Sequence, residues 1–388
     1  MSSPYRILAG IAADAFSCSE QLALTIDSGK IADIQAIDAD IRPERRDLDY
    51  RDLILTPGFI DIHIHGGAGE YVMEGTARGL SKIASHLASH GVTGFLSTTV
   101  TGAWNQQTQA VAVAANAMRT DPAAWEGAAV LGVHLEGPYI NPAKKGAQPP
   151  EYVLPPSIED LNKGVGENIN AVRVVTLAPE MPGALELIGY LSSRGIIASI
   201  GHSDATYNQI SEAIEHGAKH VTHCFNAMRQ MEGREPGVVG SAFVRDELKA
   251  ELIWDNIHVH PESCVALIKA KTCRGVILIS DGIPGAGMGE GYEFHLGEHR
   301  VVVQNGAARL ASGTLAGSLL TLDRAFLNAA RFALSERAAM SSYNAAASLG
   351  LDHCKGLLKV GYDADLTLLG KDGSVKRTIV GGRSAFEA

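Results

Sequence analysis

Short apolar runs recur along the chain from residue 54 onward, and stretches with apolar residues at helical spacing separate most of them. Eight runs have this character: LILTPGFIDIHIH, GVTGFLSTTV, AAVLGVHLEG, VRVVTLAPE, GIIASIGHS, HVTHCFNAM, AELIWDNIHVH and GVILISDG. Amphipathic segments such as GLSKIASHLASHG and ATYNQISEAIEHG lie between them. Mostly apolar strands that alternate with helices are typical of a parallel sheet covered by helices. We therefore predict an α/β fold with a (β/α)8 TIM barrel.

The two ends of the chain have a different pattern, in which apolar and polar residues alternate. This pattern appears in ILAGIAADAF, LALTIDSGKIADIQAID and GLLKVGYDADLTLLGKDGSVKRTIVGGR, and it indicates short antiparallel strands. We expect residues 1–56 and 356–388 to form one small β-sandwich domain beside a catalytic barrel over residues 57–355. Within the barrel unit we expect a hairpin insertion near residues 291–315 and a long helical stretch from about Ser318 to Leu349.

The composition is that of an ordinary globular enzyme, with 46% hydrophobic and 20% charged residues among 388. A net charge of −10 without a long basic run argues against binding to nucleic acid or a membrane surface. The five cysteines are odd in number and show no close paired spacing, which indicates reduced thiols. No segment resembles a signal peptide or reaches transmembrane length. We expect a cytoplasmic protein.

The first apolar run ends in two histidines, within PGFIDIHIHG. Side chains alternate faces along a strand, so His63 and His65 point the same way while Ile64 points the other. Two imidazoles on one face at a strand end can bind one metal ion. For an isolated pair, two hydrogen-bonded core histidines would be the more common outcome.

Most of the other runs also end in a polar or ionisable group, and in a TIM barrel the active site lies at the carboxyl ends of the strands. Glu136 in HLEGPY follows the third run, His202 in GHS the fifth and His223 in THCFNAM the sixth. Two imidazoles and one carboxylate, with an open position for water, form a known catalytic zinc set. Each histidine alone would more often be structural, but their joint placement favours metal binding.

Neighbouring polar residues are assigned by the direction of their side chains. His134 shares the face of Glu136 but lies deeper, where support of the site and core packing are equally good interpretations. His220 and Cys224 are predicted to point away from the site. Asp281 in ISDG closes the eighth run and is our candidate general base, which takes a proton from water and returns it to the leaving group.

A second metal site is predicted from barrel closure. The first strand borders the eighth in a closed barrel, so His63 and His65 should approach Asp281. Glu136 would then lie between two ions about 3.5–4 Å apart. The alternative is that the histidine pair only donates hydrogen bonds to water in the site.

Several motifs together resemble the N-acetylglucosamine-6-phosphate deacetylases of the amidohydrolase superfamily. They are PGFIDIHIHG, HLEGPYINPAKKG, GHS, THCFNAM, GREPG, SDG and LAGS, and the resemblance covers nearly the whole chain from Pro57. It implies hydrolysis of the acetamide of a phosphorylated amino sugar by a divalent ion, with zinc favoured over iron or manganese. It also implies Glu136, His202 and His223 as ligands of the principal ion, and Asp281 as base and then acid.

The same resemblance implies the residues that bind the substrate. Asn226 and the backbone of Ala227 would contact the sugar phosphate, and Leu315, Ala316, Gly317 and Ser318 would shape the acyl pocket. Arg234 and His258 would reach the phosphate at least partly from a neighbouring subunit, which implies a homodimer. A guanidinium suits phosphate oxygens, but a surface ion pair of Arg234 with a neighbouring glutamate is the common alternative.

One position departs from the family, and three alternative functions stay open. Gln148 stands where many relatives carry a histidine that polarises the acyl carbonyl, and an amide can donate a hydrogen bond without carrying charge. Some members lack the H-x-H pair and use one ion, whereas this chain has the pair.

The alternative functions are a deacetylase of the galactosamine epimer, another amidohydrolase such as a cyclic amide hydrolase, and a non-catalytic barrel scaffold.

Overall fold

A computed structural model describes residues 3–38, 40–121, 124–296, 299–310, 313 and 315–388. In these residues both chain ends contribute to one seven-stranded sheet. In spatial order its strands are Arg383–Glu387, Val375–Val380, Leu366–Leu369, Asp47–Pro57, Tyr5–Ala13, Cys18–Asp27 and Lys30–Ala36. The sheet is antiparallel except where Tyr5–Ala13 pairs with Asp47–Pro57 in parallel. It buries an apolar core of its own that includes Ile7, Leu24 and Leu366.

A second sheet of eight parallel strands runs through the described middle of the chain. The strands are β1 (Phe59–Ile64), β2 (Val92–Thr99), β3 (Ala129–Glu136), β4 (Val172–Leu177), β5 (Ile197–Ile200), β6 (Ala218–Val221), β7 (Lys249–Leu252) and β8 (Val276–Leu278). They follow one another in chain order around the sheet. Backbone bonds from Asp281 N to His63 O, 2.9 Å, and from His65 N to Gly282 O, 2.8 Å, nearly close it into a barrel. The predicted barrel with a small β unit from both chain ends is confirmed.

Of the barrel helices in the described chain, seven lie between consecutive strands, and the eighth follows β8 and the inserted sheet. They are α1 (Ala77–Ser89), α2 (Trp104–Arg119), α3 (Ile158–Val165), α4 (Ala184–Ser193), α5 (Tyr207–Glu215), α6 (Gly237–Val244), α7 (Pro261–Lys271) and α8 (Leu322–Asn328). Short 3₁₀ turns occur at Val72–Glu74, Pro142–Lys144, Pro150–Tyr152, Gly166–Ala171 and Cys273–Gly275. The helical pattern explains α1: Leu80, Ile83 and Leu87 face inward, and the Thr76 side chain caps its first turn.

Four expectations about individual elements were wrong in detail. The first apolar run divides between the small sheet, which takes Asp47–Pro57, and β1. The insertion is a three-stranded sheet of Glu293–Leu296, His299–Gln304 and Ala307–Leu310, not a hairpin, and residues 297, 298, 311, 312 and 314 lie outside the described chain. The long helical stretch breaks after α8 and resumes as Leu334–Ala338, a π-helix Ala339–Tyr343 and Asn344–Ser348. β7 ends at Leu252, so His258 lies in the loop that follows it.

Within the described ranges, no helix combines the length and apolar character needed to cross a bilayer.

Candidate metal centre

Six potential metal ligands meet at the carboxyl-terminal mouth of the barrel. They are His63 and His65 at the end of β1, Glu136 at the end of β3, His202 after β5, His223 after β6 and Asp281 after β8. None of the six is more than 8% exposed. The ligands therefore come from distant parts of the chain into one buried cluster.

The first group of ligands consists of Glu136, His202 and His223. The Oε1 atom of Glu136 lies 2.9 Å from the Nε2 atom of His202 and 2.9 Å from the Nε2 atom of His223. The two Nε2 atoms are 3.1 Å apart. Three donor atoms so close together, with an open side toward the barrel mouth, have the arrangement of a catalytic metal site.

The second group consists of His63, His65 and Asp281. The two Nε2 atoms of the histidines are 3.2 Å apart. The Oδ1 atom of Asp281 lies 3.1 Å from Nε2 of His65 and 3.4 Å from Nε2 of His63. Closure of the barrel between β1 and β8 accounts for this approach.

Glu136 lies between the two groups. Its Oε1 atom is 3.6 Å from Nε2 of His63, and its Oε2 atom is 3.5 Å from Nε2 of His65. One carboxylate thus faces donor atoms of both groups, which is the position of a ligand that bridges two ions.

Hydrogen bonds at the far side of the rings select the tautomer of two ligands. The Nδ1 atom of His202 lies 2.9 Å from the carbonyl oxygen of Lys144, and that of His65 lies 3.2 Å from the carbonyl oxygen of Thr98. A carbonyl oxygen only accepts, so each Nδ1 carries a hydrogen and donates it. The Nε2 atoms of His202 and His65 are then the ring nitrogens available to bind an ion in the centre.

This donor set fits divalent cations. Lone pairs that face each other at 3.1–3.2 Å, as between the paired Nε2 atoms, repel unless a hydrogen or a cation lies between them. Ligand atoms at the corners of a zinc tetrahedron are about 3.3 Å apart when the zinc–nitrogen bond is about 2.05 Å. Imidazole and carboxylate donors suit zinc, iron and manganese.

The two carboxylates of the cluster, Glu136 and Asp281, also favour binding of a cation. Burial raises the pKa of Glu136, but the neighbouring histidines, His202 first, outweigh burial and hold that pKa well below its ordinary value. Burial likewise raises the pKa of Asp281, and the histidines of the second group outweigh it and lower the pKa. Both carboxylates therefore stay ionised although they are removed from water.

Three of the six ligands have a backbone conformation that is unusual for residues other than glycine. The φ angles are +48° at His202, +27° at His223 and +49° at Asp281. Such conformations cost about 1–3 kcal/mol each and persist where the surrounding structure holds them. In each case the residue follows the end of a strand, and the left-handed turn directs its side chain toward the other ligands.

His134 packs beneath the centre inside the barrel. Its ring lies 4.5 Å from the ring of His63, its Nδ1 atom donates to the carbonyl of Ile62 at 3.0 Å, and its Nε2 atom lies 2.8 Å from Oγ1 of Thr176. Burial lowers the pKa of His134 to about 3. His134 is therefore a neutral ring whose two nitrogens are both hydrogen-bonded. It both supports the site from below and packs in the core, the two interpretations that the sequence left open.

His220 and Cys224 are directed away from the two ligand groups. The Nε2 atom of His220 lies 3.0 Å from Oγ of Ser348. Cys224 is fully buried in the apolar core, and burial raises the pKa of its thiol to about 12. A thiol with so high a pKa is a poor metal ligand at neutral pH.

Sequence reasoning missed Glu251, a fully buried carboxylate in β7. Its Oε2 atom lies 2.9 Å from Nδ1 of His63 and accepts the backbone N–H of His223 at 3.3 Å. Burial raises the pKa of Glu251, but the neighbouring histidines, His220 and His63, outweigh burial and hold the pKa well below its ordinary value. Burial disfavours protonation of His63, yet Glu251, Asp281 and Glu136 raise the pKa of His63 to about 10.

Asp61 was also missed, although it shares the face of His63 by strand alternation. Its Oδ1 atom accepts the backbone N–H groups of His63, 3.2 Å, and Ser280, 3.3 Å, and so links β1 to the loop after β8. Burial raises the pKa of Asp61 to about 6. For Asp61 and Glu251 alike, the available signal was a charged residue inside a mostly apolar strand.

A cavity of about 860 Å³ opens above the ligands. Residues predicted to bind substrate line it: Gln148, Asn226, Ala227, His258, Leu315, Ala316 and Gly317. The cavity therefore brings the predicted phosphate and acyl residues to the mouth of the ligand cluster. Its volume is in the range of small-molecule sites.

Three predicted substrate-binding residues, Ser318, His258 and Arg234, differ in how they lie relative to the cavity. Ser318 is buried beside Asp281, to whose carbonyl its backbone N–H donates at 3.0 Å. The Nδ1 atom of His258 lies 2.6 Å from Oδ2 of Asp255. Arg234 is exposed and is absent from the cavity wall formed by the described residues of this chain.

Gln148 is held between the ligands and a neighbouring loop. Its Nε2 atom donates to Oε2 of Glu136 at 2.8 Å and lies 3.2 Å from Nε2 of His202. Its Oε1 atom accepts the backbone N–H of Thr101 at 3.0 Å. The amide is thus directed at the ligands of the first group.

Residues 54–385 match the model of the amidohydrolase family. The chain therefore belongs to that family, and its barrel and ligand clusters agree with this. It is 40% identical over 339 residues to an N-acetylglucosamine-6-phosphate deacetylase of Bacillus subtilis (strain 168). That alignment covers 86% of this chain and 85% of the relative. It is 37% identical over 366 residues to an N-acetylgalactosamine-6-phosphate deacetylase of Escherichia coli O157:H7, covering 93% and 94% of the two chains.

A solved structure of N-acetyl-D-glucosamine-6-phosphate deacetylase from Mycobacterium smegmatis has the same fold. It is an aspartate-to-alanine mutant in complex with N-acetyl-D-glucosamine-6-phosphate. The TM-score is 0.91 at 29% identity, and the alignment covers 99% of this chain and all of that one, 100%.

Proposed function

We propose that this chain is a metal-dependent amidohydrolase that converts N-acetyl-D-glucosamine 6-phosphate to D-glucosamine 6-phosphate and acetate, in amino-sugar catabolism or recycling. The observation that carries the proposal is the convergence of six buried imidazole and carboxylate ligands beneath a cavity lined by polar and apolar residues. The names of the relatives in the amidohydrolase family support the substrate.

The metal centre is proposed to hold one or two divalent ions, with zinc preferred to iron or manganese. Glu136, His202 and His223 hold the principal ion, and His63, His65 and Asp281 hold the second. A divalent ion at this position lowers the pKa of water and polarises an acyl carbonyl.

Asp281 is proposed to move the proton in the reaction. As a carboxylate it takes a proton from the attacking water and returns it to the nitrogen that departs as the amine. The lowered pKa of Asp281 keeps the group ionised at neutral pH, so the carboxylate has an oxygen free to accept the proton. General base assistance is typically worth ~10²–10⁴ in rate.

The remaining cavity residues are proposed to bind the two ends of the substrate. Asn226, the backbone of Ala227 and His258 contact the phosphate, and Leu315, Ala316, Gly317 and Ser318 shape the acyl pocket. Arg234 is exposed in this chain, and we propose that it reaches the phosphate in the site of a neighbouring subunit of a homodimer. A bidentate guanidinium–phosphate pair would favour phosphorylated sugars.

We also propose a cytoplasmic location. All five cysteines are free, which suits a reducing compartment. The proposed substrate is a phosphorylated metabolite, and its charge keeps it inside the compartment where it is made.

The experiment that tests the function measures acetate release from a panel of sugars. The panel contains the 6-phosphates of N-acetylglucosamine and N-acetylgalactosamine, and unphosphorylated N-acetylglucosamine. We expect the highest kcat/KM for N-acetylglucosamine 6-phosphate. A preference for the galactosamine epimer would favour the activity named for the Escherichia coli relative. No acetate from any sugar by metal-loaded protein would favour a scaffold or another amidohydrolase.

A further inference from the structure

We propose that Glu251 is a positioning residue for the second metal site, because it fixes His63 in the tautomer whose Nε2 lone pair faces the ion. The inference rests on the proposed two-ion function of the site. It concerns a residue that touches neither substrate nor metal and lies one layer below the ligands, in β7.

The geometry of the contact defines the tautomer. Oε2 of Glu251 lies 2.9 Å from Nδ1 of His63, and both side chains are fully buried. An ionised carboxylate only accepts hydrogen bonds, so Nδ1 must carry the hydrogen. The opposite nitrogen, Nε2, faces Nε2 of His65 and Oδ1 of Asp281, 3.2 Å and 3.4 Å away, and is the ring nitrogen that would give its lone pair to an ion once the ion displaces any hydrogen there.

A different use of the same residues would be a third ion held by His63, His134 and Glu251, whose donor atoms lie within 4.8 Å of one another. The partners of His134 exclude it. The Nδ1 atom of His134 donates to the carbonyl of Ile62, so its Nε2 atom is an acceptor and is occupied by the Thr176 hydroxyl at 2.8 Å. His134 therefore has no lone pair to give to an ion, and Glu251 is left to act through His63.

The effect of Glu251 on the two ions should be unequal. At the second site it determines which ring nitrogen of His63 keeps its hydrogen and which one is left to bind the ion. At the first site it contacts only the backbone N–H of His223, at 3.3 Å, and not the ligand nitrogen. Loss of the carboxylate should thus weaken the second ion selectively.

The test compares stepwise zinc affinity in the wild type, Glu251→Gln and Thr222→Val, by competition with a chelator. Glutamine keeps the size but can donate as well as accept, so it no longer specifies the tautomer of His63. We expect the second ion to bind about 10- to 100-fold more weakly in Glu251→Gln, as is typical when the partner of a ligand is lost. The affinity for the first ion should be unchanged.

Thr222→Val is the matched control. Thr222 is fully buried in the barrel interior next to His223, but its hydroxyl contacts Thr176 and Ser199 and not His63. It should bind both ions as the wild type does. Equal weakening of the second ion in both variants would assign the effect to general disturbance of the interior and overturn the proposal.

Two further results distinguish a failure of the proposed role of Glu251 from a failure of the proposed two-ion site. A wild type that binds two ions while Glu251→Gln binds the second equally well would overturn the role of Glu251 alone. A wild type that never binds a second ion would overturn both. If Glu251→Gln does not fold, ¹⁵N-histidine NMR of the zinc-loaded wild type, assigned with His63→Asn, gives the answer: hydrogen on Nδ1 of His63 supports the proposal, and hydrogen on Nε2 overturns it.

Discussion

The Oδ1 atom of Asp281 lies 3.1 Å from the Nε2 atom of His65, although 216 positions separate the two residues in the chain (281 − 65 = 216). Closure of the barrel between β1 and β8 produces this proximity. It places the proposed proton carrier against the H-x-H pair, which we propose forms part of the reacting centre.

Asp281→Asn should retain the ion held by Glu136, His202 and His223 and lose most turnover. Asparagine has nearly the same size but cannot take a proton from water, so we expect kcat to fall by about 10²–10⁴. The measurement is kcat for acetate release, with metal content determined on the same samples. Near-normal turnover at full metal occupancy would remove Asp281 from the mechanism.

Arg234→Ala should weaken capture of the phosphorylated sugar. Loss of charge-assisted hydrogen bonds worth about 1.5–3 kcal/mol corresponds to a KM roughly 10- to 100-fold higher. Activity on unphosphorylated N-acetylglucosamine should barely change. Arg331→Ala is the control, since Arg331 is also exposed but pairs with Glu262 at 2.9 Å. Equal losses on both sugars would show that Arg234 acts through folding or assembly.

Gln148→His tests what polarises the acyl carbonyl. The amide of Gln148 is already bonded to Glu136 at 2.8 Å, and we propose that the second ion supplies the polarisation. We therefore expect kcat/KM to change by less than about tenfold, the rate equivalent of 1.36 kcal/mol. A large rate gain would instead mean that the carbonyl is under-polarised in the wild type.

The double variant His63→Asn, His65→Asn should bind about one divalent ion fewer than the wild type. The wild type should hold up to two ions per chain when metal is supplied during growth, and the Glu136 site should stay filled in the variant. Elemental analysis of purified protein measures both counts. A wild type that never exceeds one ion with ample zinc, iron or manganese would show that the H-x-H pair is not a metal site.

The sequence predicted the parts of the centre that follow from periodicity. Alternation along β1 placed His63 and His65 on one face, and the order of strands in a barrel brought them to Asp281. Glu136, His202 and His223 were found because each ends or follows an apolar run, and runs of this type end at one mouth.

The parts that were missed depend on contacts that periodicity does not encode. Glu251 and Asp61 lie inside strands, where a lone carboxylate gives no sign of which distant group it will meet. The left-handed backbone at His202 and His223 arises from the tertiary structure. The predicted long helix breaks between Asn328 and Leu334, in a stretch whose local pattern is helical throughout, so a single long element was expected there.

The most direct test of the account is to remove the metal and restore it. Protein treated with chelator until it holds well under one ion per chain should release no measurable acetate from N-acetylglucosamine 6-phosphate. Activity should return as zinc, iron or manganese is added, in proportion to the ions bound per chain. Full activity in the metal-free protein would contradict the assignment of Glu136, His202 and His223 to a catalytic metal site.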